Sequence, residues 1–304
     1  MMPGHGSMSA RLLRSLPFRF LRWNFSLGEP DETTDAKLEA LLVSQLADCP
    51  ELDAAVVLAF DAVYDKQGNR LDADTHLFLE NDYVINLAKK HRQILFGASV
   101  HPYRKDAIAE LERCAAAGAV LVKWLPITQG IDPTDPKCFE FYDALAHYKI
   151  PLLSHTGGET MLPNLNHLAD PGLLMPAIRR GVTVIAAHCA TRSTFTEPDY
   201  LSSFVRLCHT HERFFGDSSA LNLPTRWHAY KPILSDPVVR SKIIHGSDWP
   251  VPPIPHPMRL GMGKTFELLD EPNWLKRDIH IKQALGFTAE DFSRGATVLR
   301  LTGR

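Results

Sequence analysis

The stretch AAVVLAFDAVYDKQGN, residues 54–69, decides the fold. Its first half is a nearly continuous apolar run without polar alternation, the pattern of a strand covered on both faces. Six similar runs follow: ILFGASVH (94–101), AVLVKWLP (119–126), IPLLSHTG (150–157), VTVIAAHC (182–189), RFFGDSS (213–219) and KIIHGSD (242–248). Their starts lie 25 to 40 residues apart, the length of a strand plus a crossover helix. Ile108, Leu111 and Ala115 mark one intervening helix, which Gly118 can end, and Leu38, Leu41, Leu42 and Leu46 mark another before the first run. A parallel sheet covered by helices follows, either a closed barrel or an open doubly wound sheet. An open sheet usually carries G-x-G-x-x-G after its first strand, and AFDAVYDKQGN has no such loop. The expectation is therefore an α/β protein with a distorted TIM-type (β/α)8 barrel as a single domain, residues 35–304, preceded by an irregular basic segment, residues 1–34. Seven strands are readable. The first of eight is absent or atypical, because MMPGHGSMSARLLRSLPFRFLRWNF is studded with arginine, rich in glycine and interrupted by Pro17.

Of the 304 residues, 45% are hydrophobic and 22% charged, the balance of a globular protein with ample core. No window approaches the roughly 18 apolar residues of a spanning helix, and no signal-peptide pattern opens the chain. The cytoplasm is the expected location. A net charge of -2 provides no basic footprint for nucleic acid. The expected partner is a small-molecule substrate, with neither nucleic acid nor membrane, and a homodimer is the candidate assembly. Cys49, Cys114, Cys138, Cys189 and Cys208 are odd in number and form no CxxC pair, so they read as reduced thiols, mostly in the core. The first 28 residues hold no acid but carry Arg11, Arg14, Arg19 and Arg22; they read as a surface segment packing on the domain in preference to a targeting helix.

In barrels of this kind the chemistry collects at the carboxyl ends of the strands. Those ends hold Asp61, His101, Lys123, His155, His188, Asp217 and Asp248. Taken singly, each has an ordinary reading: a strand-end histidine is commonly a hydrogen-bonded cap, and an aspartate in Ser-Asp-Trp-Pro commonly starts a turn. Together, His155, His188 and Asp248 supply the imidazole nitrogens and carboxylate oxygen of a catalytic zinc site with one position left for water. If His188 faces the barrel axis, strand alternation turns Cys189 toward the helices. By the same alternation His245 points away from Asp248 and stays outside the site. His101, before Pro102, reads as structural, and Asp217 as either a strand-end contact or a turn starter. Substrate contacts are expected from Tyr103, Arg104, Glu159, Arg192, Trp249 and His256 on the loops after the strands.

The segments GAVLVKWLP, QGIDP, PLLSHTGGE, VIAAHC and IIHGSDWP, in this order and spacing, resemble the amidohydrolase superfamily, specifically its amidohydrolase-related branch that includes aminocarboxymuconate-semialdehyde decarboxylase-like enzymes. FSRGATVLRLTG is similar to that family's closing helix. The resemblance implies a metal-dependent hydrolase with one or two divalent ions, most often zinc. It places His155 as the fifth-strand ligand, His188 as the sixth-strand ligand or substrate-polarising residue, and Asp248 as ligand and proton shuttle. Lys123 falls near the carboxylated lysine of some relatives, or near a lysine that others keep for substrate or second-layer contacts. The family's first-strand His-x-His has no counterpart before residue 50. The His209-Thr-His211 pair has its spacing but lies at the wrong end of the barrel. Either the chain starts downstream of the strand that carries the pair, which is the expectation, or the site is built without it. The expected reaction is attack of metal-activated water on an ester, lactone, amide or carboxylate substrate. Asp248 shuttles the proton, His188 stabilises the oxyanion and His155 anchors the ion. Decarboxylation (a lyase) on the same residues, or a degenerate binding barrel, are the alternatives.

Overall fold

A computed structural model describes residues 6–158 and 165–301. Among these residues seven strands make one parallel sheet: β2 (Ala55–Leu58), β4 (Ile94–Ala98), β5 (Leu121–Trp124), β6 (Leu152–Ser154), β7 (Val184–Ala186), β8 (Phe214–Asp217) and β9 (Ile243–Ile244), hydrogen-bonded in that order. Each coincides with one of the seven apolar runs. The remaining two strands, β1 (Gly6–Met8) and β3 (Leu77–Leu79), pair with each other antiparallel, and Leu79 bridges to Phe60 just beyond the end of β2.

The side chains show that the sheet curls on itself. Val56, Leu58, Leu95, Leu121, Leu153, Ile185, Phe215 and Ile244, contributed by all seven parallel strands, fall in a single apolar cluster. Only the inside of a cylinder lets strands at opposite ends of a sheet share one core. The alternate residues, among them Phe96, Val122, Trp124, Leu152, Val184, Phe214 and Ile243, pack outward with the helices. The architecture is thus a distorted (β/α)8 barrel. Gly97 continues the inward row of β4, and a Cβ there would meet Leu58 Cδ2 at 2.6 Å, so only glycine fits beside the branched residues of β2.

β2 and β9 form the edges of the sheet, and helices staple the outside. Leu46 from the helix Thr34–Ala47 joins Leu275 and Ile279 from the helix Trp274–Ala284 in a cluster that also holds Ile94 and packs on Ala55 and Val57. Gln45 reinforces the joint, its carbonyl accepting from Asn273 Nδ2 at 2.8 Å. The helix predicted from Ile108, Leu111 and Ala115 is Ala107–Ala116, and Gly118 follows it at φ 90°.

The amino-terminal segment differs from the irregular chain expected. It forms short helices at Ala10–Leu13 and Leu16–Asn24, and Pro17 starts the second of them, where a missing N–H costs nothing. Phe25 then packs on Trp274 with ring centroids 4.5 Å apart, fastening the segment to the barrel. All five cysteines are unbridged and buried. Among the described residues no helix is long and apolar enough to cross a membrane.

Candidate active site

A polar layer stands two residues beyond the apolar floor of the barrel. Leu121 leads to Lys123, Leu153 to His155 and Phe215 to Asp217, each following the strand period of two. All three polar residues are buried. Continuing the inward row of β9 from Ile244 through Gly246 gives Asp248.

His188 reaches this layer by another route. Regular alternation would turn it outward with Val184 and Ala186, so the expected parity argument does not hold. Instead the chain takes left-handed conformations at His188, Cys189 and Ala190, with φ 58°, 51° and 57°. Such residues cost roughly 1–2 kcal/mol each and persist where hydrogen bonds fix them. His188 N–H donates to Asp217 Oδ1 at 2.8 Å, and the His188 carbonyl accepts from the Thr191 hydroxyl at 2.6 Å. The kink points the imidazole inward and leaves Cys189 in the outer core. Gly157 permits the close approach of the neighbouring loop. At φ 79°, a Cβ there would lie 2.1 Å from the Thr191 carbonyl oxygen.

The result is a pair of imidazoles in contact, His155 and His188, with ring centroids 4.9 Å apart and nearly edge to face. His188 Nδ1 lies 3.0 Å from the Ser219 carbonyl, which can only accept, so Nδ1 carries the proton and Nε2 presents a lone pair. The Ser219 hydroxyl lies 2.8 Å from the same nitrogen and also donates to Asp217 Oδ1. Burial, then Lys123 and Arg226, push His155 well below the ordinary histidine range. Burial, then Arg226 and its neighbours His155 and Lys123, do the same to His188. Both rings are therefore neutral around pH 7.

Asp248 sits in the left-handed region at φ 63° and is exposed to water at the mouth, with protein surrounding it on its other sides. That surrounding raises its carboxyl above the usual range; Lys123 and then Arg226 pull it back, while Asp217 pushes it up. Arg226 is a residue the sequence reading missed. It is buried on the 3-10 segment Pro224–Ala229, where Nη1 donates to the Thr191 carbonyl at 3.2 Å and hydroxyl at 3.1 Å. No motif marks it, but an arginine after a barrel strand was a readable signal.

The described residues expected to contact substrate have partners within the protein. Arg104 is held by Asp61 at 3.1 Å and Asp106 at 2.8 Å. Tyr103 is buried, its hydroxyl accepting from Asp132 N–H at 3.3 Å. Trp249 donates from its indole to Gln45 Oε1 at 3.0 Å. Arg192 lies over the Phe195 ring at 5.5 Å. His256 stacks on Trp227 with centroids 4.3 Å apart, and Glu159 lies outside the described residues. His101 is structural, bridging Gln129 O at 3.1 Å and Tyr103 N–H at 3.1 Å, and burial lowers it to about 4. His245 turns outward onto Phe292, with centroids 5.0 Å apart. His209 is exposed near a helix end and pairs with Asp236 at 2.7 Å.

The divalent ion that the resemblance implies would need His155, His188 and Asp248 as one ligand set. The two imidazoles are in the neutral, ligating form, and the fixed His188 tautomer suits a ligand. Among the described residues, however, no three His, Cys, Asp or Glu side chains form a group able to hold a metal ion. Lys123 and Arg226 also bring positive charge against the same groups. The described residues therefore do not fit a resident cation.

The fold and the polar layer at its strand ends define a protein of the TIM-barrel class. A family model described as Amidohydrolase matches residues 28–272, and the chain belongs to the amidohydrolase family. No curated protein matches it. Among solved structures, an uncharacterized TIM-barrel protein from Bordetella bronchiseptica has 14% identity over 89% of this chain and 92% of its own, with a TM-score of 0.59. A "probable 2-pyrone-4,6-dicarboxylic acid hydrolase" from Acinetobacter baumannii, with citric acid bound, has 16% identity over 86% and 88% of the two chains and a TM-score of 0.52. These similarities are similarities of fold.

Proposed function

We propose that this amidohydrolase-family chain hydrolyses small anionic esters or lactones at the barrel mouth, using Asp248 as general base and the cations Lys123 and Arg226 in place of a metal's charge. The observation that carries the proposal is the pairing of a water-exposed carboxylate of raised affinity for protons with two buried cations acting on it. A carboxylate whose pKa is raised accepts a proton more readily than an ordinary one. Asp248 takes a proton from water, and the hydroxide adds to the substrate carbonyl. Asp248 then returns the proton to the leaving oxygen.

His188 Nε2, a lone pair, accepts a hydrogen bond from the attacking water, so the oxyanion role expected for this residue passes to Lys123, while Arg226 is left for the substrate's own carboxylate. Fixed cations in a water-poor site stabilise developing negative charge, and a guanidinium suits a substrate carboxylate. The Acinetobacter baumannii fold neighbour carries citric acid and a dicarboxylic acid hydrolase name, which agrees with an acidic substrate class.

The test is turnover of a panel of aryl esters and five- and six-membered lactones with and without carboxylates, 2-pyrone-4,6-dicarboxylate included, before and after exhaustive chelation. Ring opening or ester cleavage that prefers the carboxylate-bearing members and survives chelation is expected. Loss of all activity on chelation, restored by zinc, overturns the metal-free reading. Release of carbon dioxide without hydrolysis converts the assignment to a decarboxylase, and binding without turnover converts it to a binding protein.

A further inference from the structure

Behind the mouth lies a chain of buried polar groups that the chemistry above does not use. Lys282 and Asp278, one turn apart on the helix Trp274–Ala284, form an ion pair at 2.6 Å with side chains 0% and 2% exposed. Asp278 Oδ1 accepts from Asn222 Nδ2 at 2.7 Å, and Asn222 Oδ1 accepts from the Tyr230 hydroxyl at 2.6 Å.

This chain grips the backbone on both sides of Asp248. Lys282 Nζ donates to the Gly246 carbonyl at 2.7 Å, two residues before the carboxylate. The Asn222 carbonyl accepts from Ile254 N–H at 3.1 Å, six residues after it. Between these anchors Asp248 holds a left-handed conformation, which a non-glycine residue keeps only where its surroundings fix it.

We infer that Lys282, Asp278 and Asn222 are positioning residues that hold the Gly246–Ile254 segment so that Asp248 meets the water at the mouth. The inference rests on the hydrolytic reading above. A fully buried ion pair is a poor source of stability, since well-packed apolar residues replace such pairs at little or no cost. Its retention here is explained by the direction it gives: a lysine at the end of a rigid helix reaches one carbonyl of the catalytic loop. A base displaced by about 1 Å loses on the order of a hundredfold in rate.

The experiment compares K282M/D278L, which removes both charges together, with D248N and the wild type, using 2-pyrone-4,6-dicarboxylate as substrate and the crystal structure of the double variant as a second readout. The double variant is expected to fold, to lose at least about tenfold in kcat with KM within about threefold, and to show Asp248 displaced. Adding D248N to it is expected to cost nothing beyond D248N alone, since both act through one carboxylate. A folded double variant with wild-type kcat, or with Asp248 unmoved in its crystal structure, overturns the inference while an inactive D248N leaves the hydrolytic reading standing. A fully active D248N sinks both. Should the double variant fail to fold, D278N, which keeps the shape, takes its place: a severalfold fall in kcat at unchanged KM supports the inference, and unchanged kcat overturns it.

Discussion

His155 and His188 meet edge to face, 4.9 Å between ring centroids, although one arrives by regular strand alternation and the other through three consecutive left-handed residues. Their contact brings the loops after β6 and β7 together above the apolar floor. Both rings are neutral because each is buried and each feels the positive charge of Arg226 and Lys123.

Asp248→Asn is expected to lower kcat by about a hundredfold or more with little change in KM, because a general base contributes on that scale. In the wild type, kcat/KM falls as pH drops through the carboxyl pKa, which lies above the ordinary 3.8. The stability effect has the opposite sense. A carboxyl whose pKa is raised on folding contributes most when protonated, below its unfolded pKa, and that contribution disappears as pH rises through the folded value. D248N is therefore expected to match or exceed the wild-type Tm at pH 7. A clear fall in Tm there contradicts the desolvation that the surrounding protein imposes on the ionised group.

Replacement of Arg226 by Met is expected to raise KM for carboxylate-bearing lactones by about tenfold or more and to alter neutral aryl esters far less, since the guanidinium pairs with the substrate's own charge. Equal losses on charged and uncharged substrates would count against that role. Arg226 also ties the Thr191 carbonyl and hydroxyl, so urea unfolding should accompany the kinetics.

His101→Gln tests the buried scaffold histidine. Burial depresses His101 from 6.5 to about 4. Folding stability linked to it is complete above the unfolded pKa of 6.5 and is lost as pH falls toward about 4, because the unfolded chain takes up the proton first. Urea midpoints measured from pH 7 to pH 4 should fall less steeply in H101Q than in the wild type. Parallel curves would refute the assignment.

Gly157→Ala is expected to destabilise by at least about 3 kcal/mol, through both the positive φ and a steric clash that relaxation cannot easily relieve. The Cβ would sit 2.1 Å from the Thr191 carbonyl oxygen, which belongs to backbone. A chemical denaturation midpoint near wild type would show that the two loops can separate.

Much of the wall was legible because strand period is a local property. Leu121 to Lys123 and Leu153 to His155 face the same way for a reason contained within three residues. The resemblance carried by PLLSHTGGE and IIHGSDWP fits the family match over residues 28–272. Pro17 was misread because the residue that breaks a helix interior also starts one; the difference lies in Ser15, whose side chain caps the helix. The partner of Arg104 was not legible because a loop arginine gives no sign of it, and Asp61, 43 residues earlier, holds it.

By itself the sequence determined the seven parallel strands and the barrel class, and placed Lys123 and His155 at strand ends, since each depends on short-range geometry and the burial of continuous apolar runs. Only the tertiary structure decided that His188 turns inward against its strand parity, that Arg226 reaches the same centre from a 3-10 segment, and that Lys282 grips Gly246 from 36 positions away. The physical reason is one of range: backbone conformation is set by near neighbours, whereas the meeting of buried charges depends on how distant segments close around a common core.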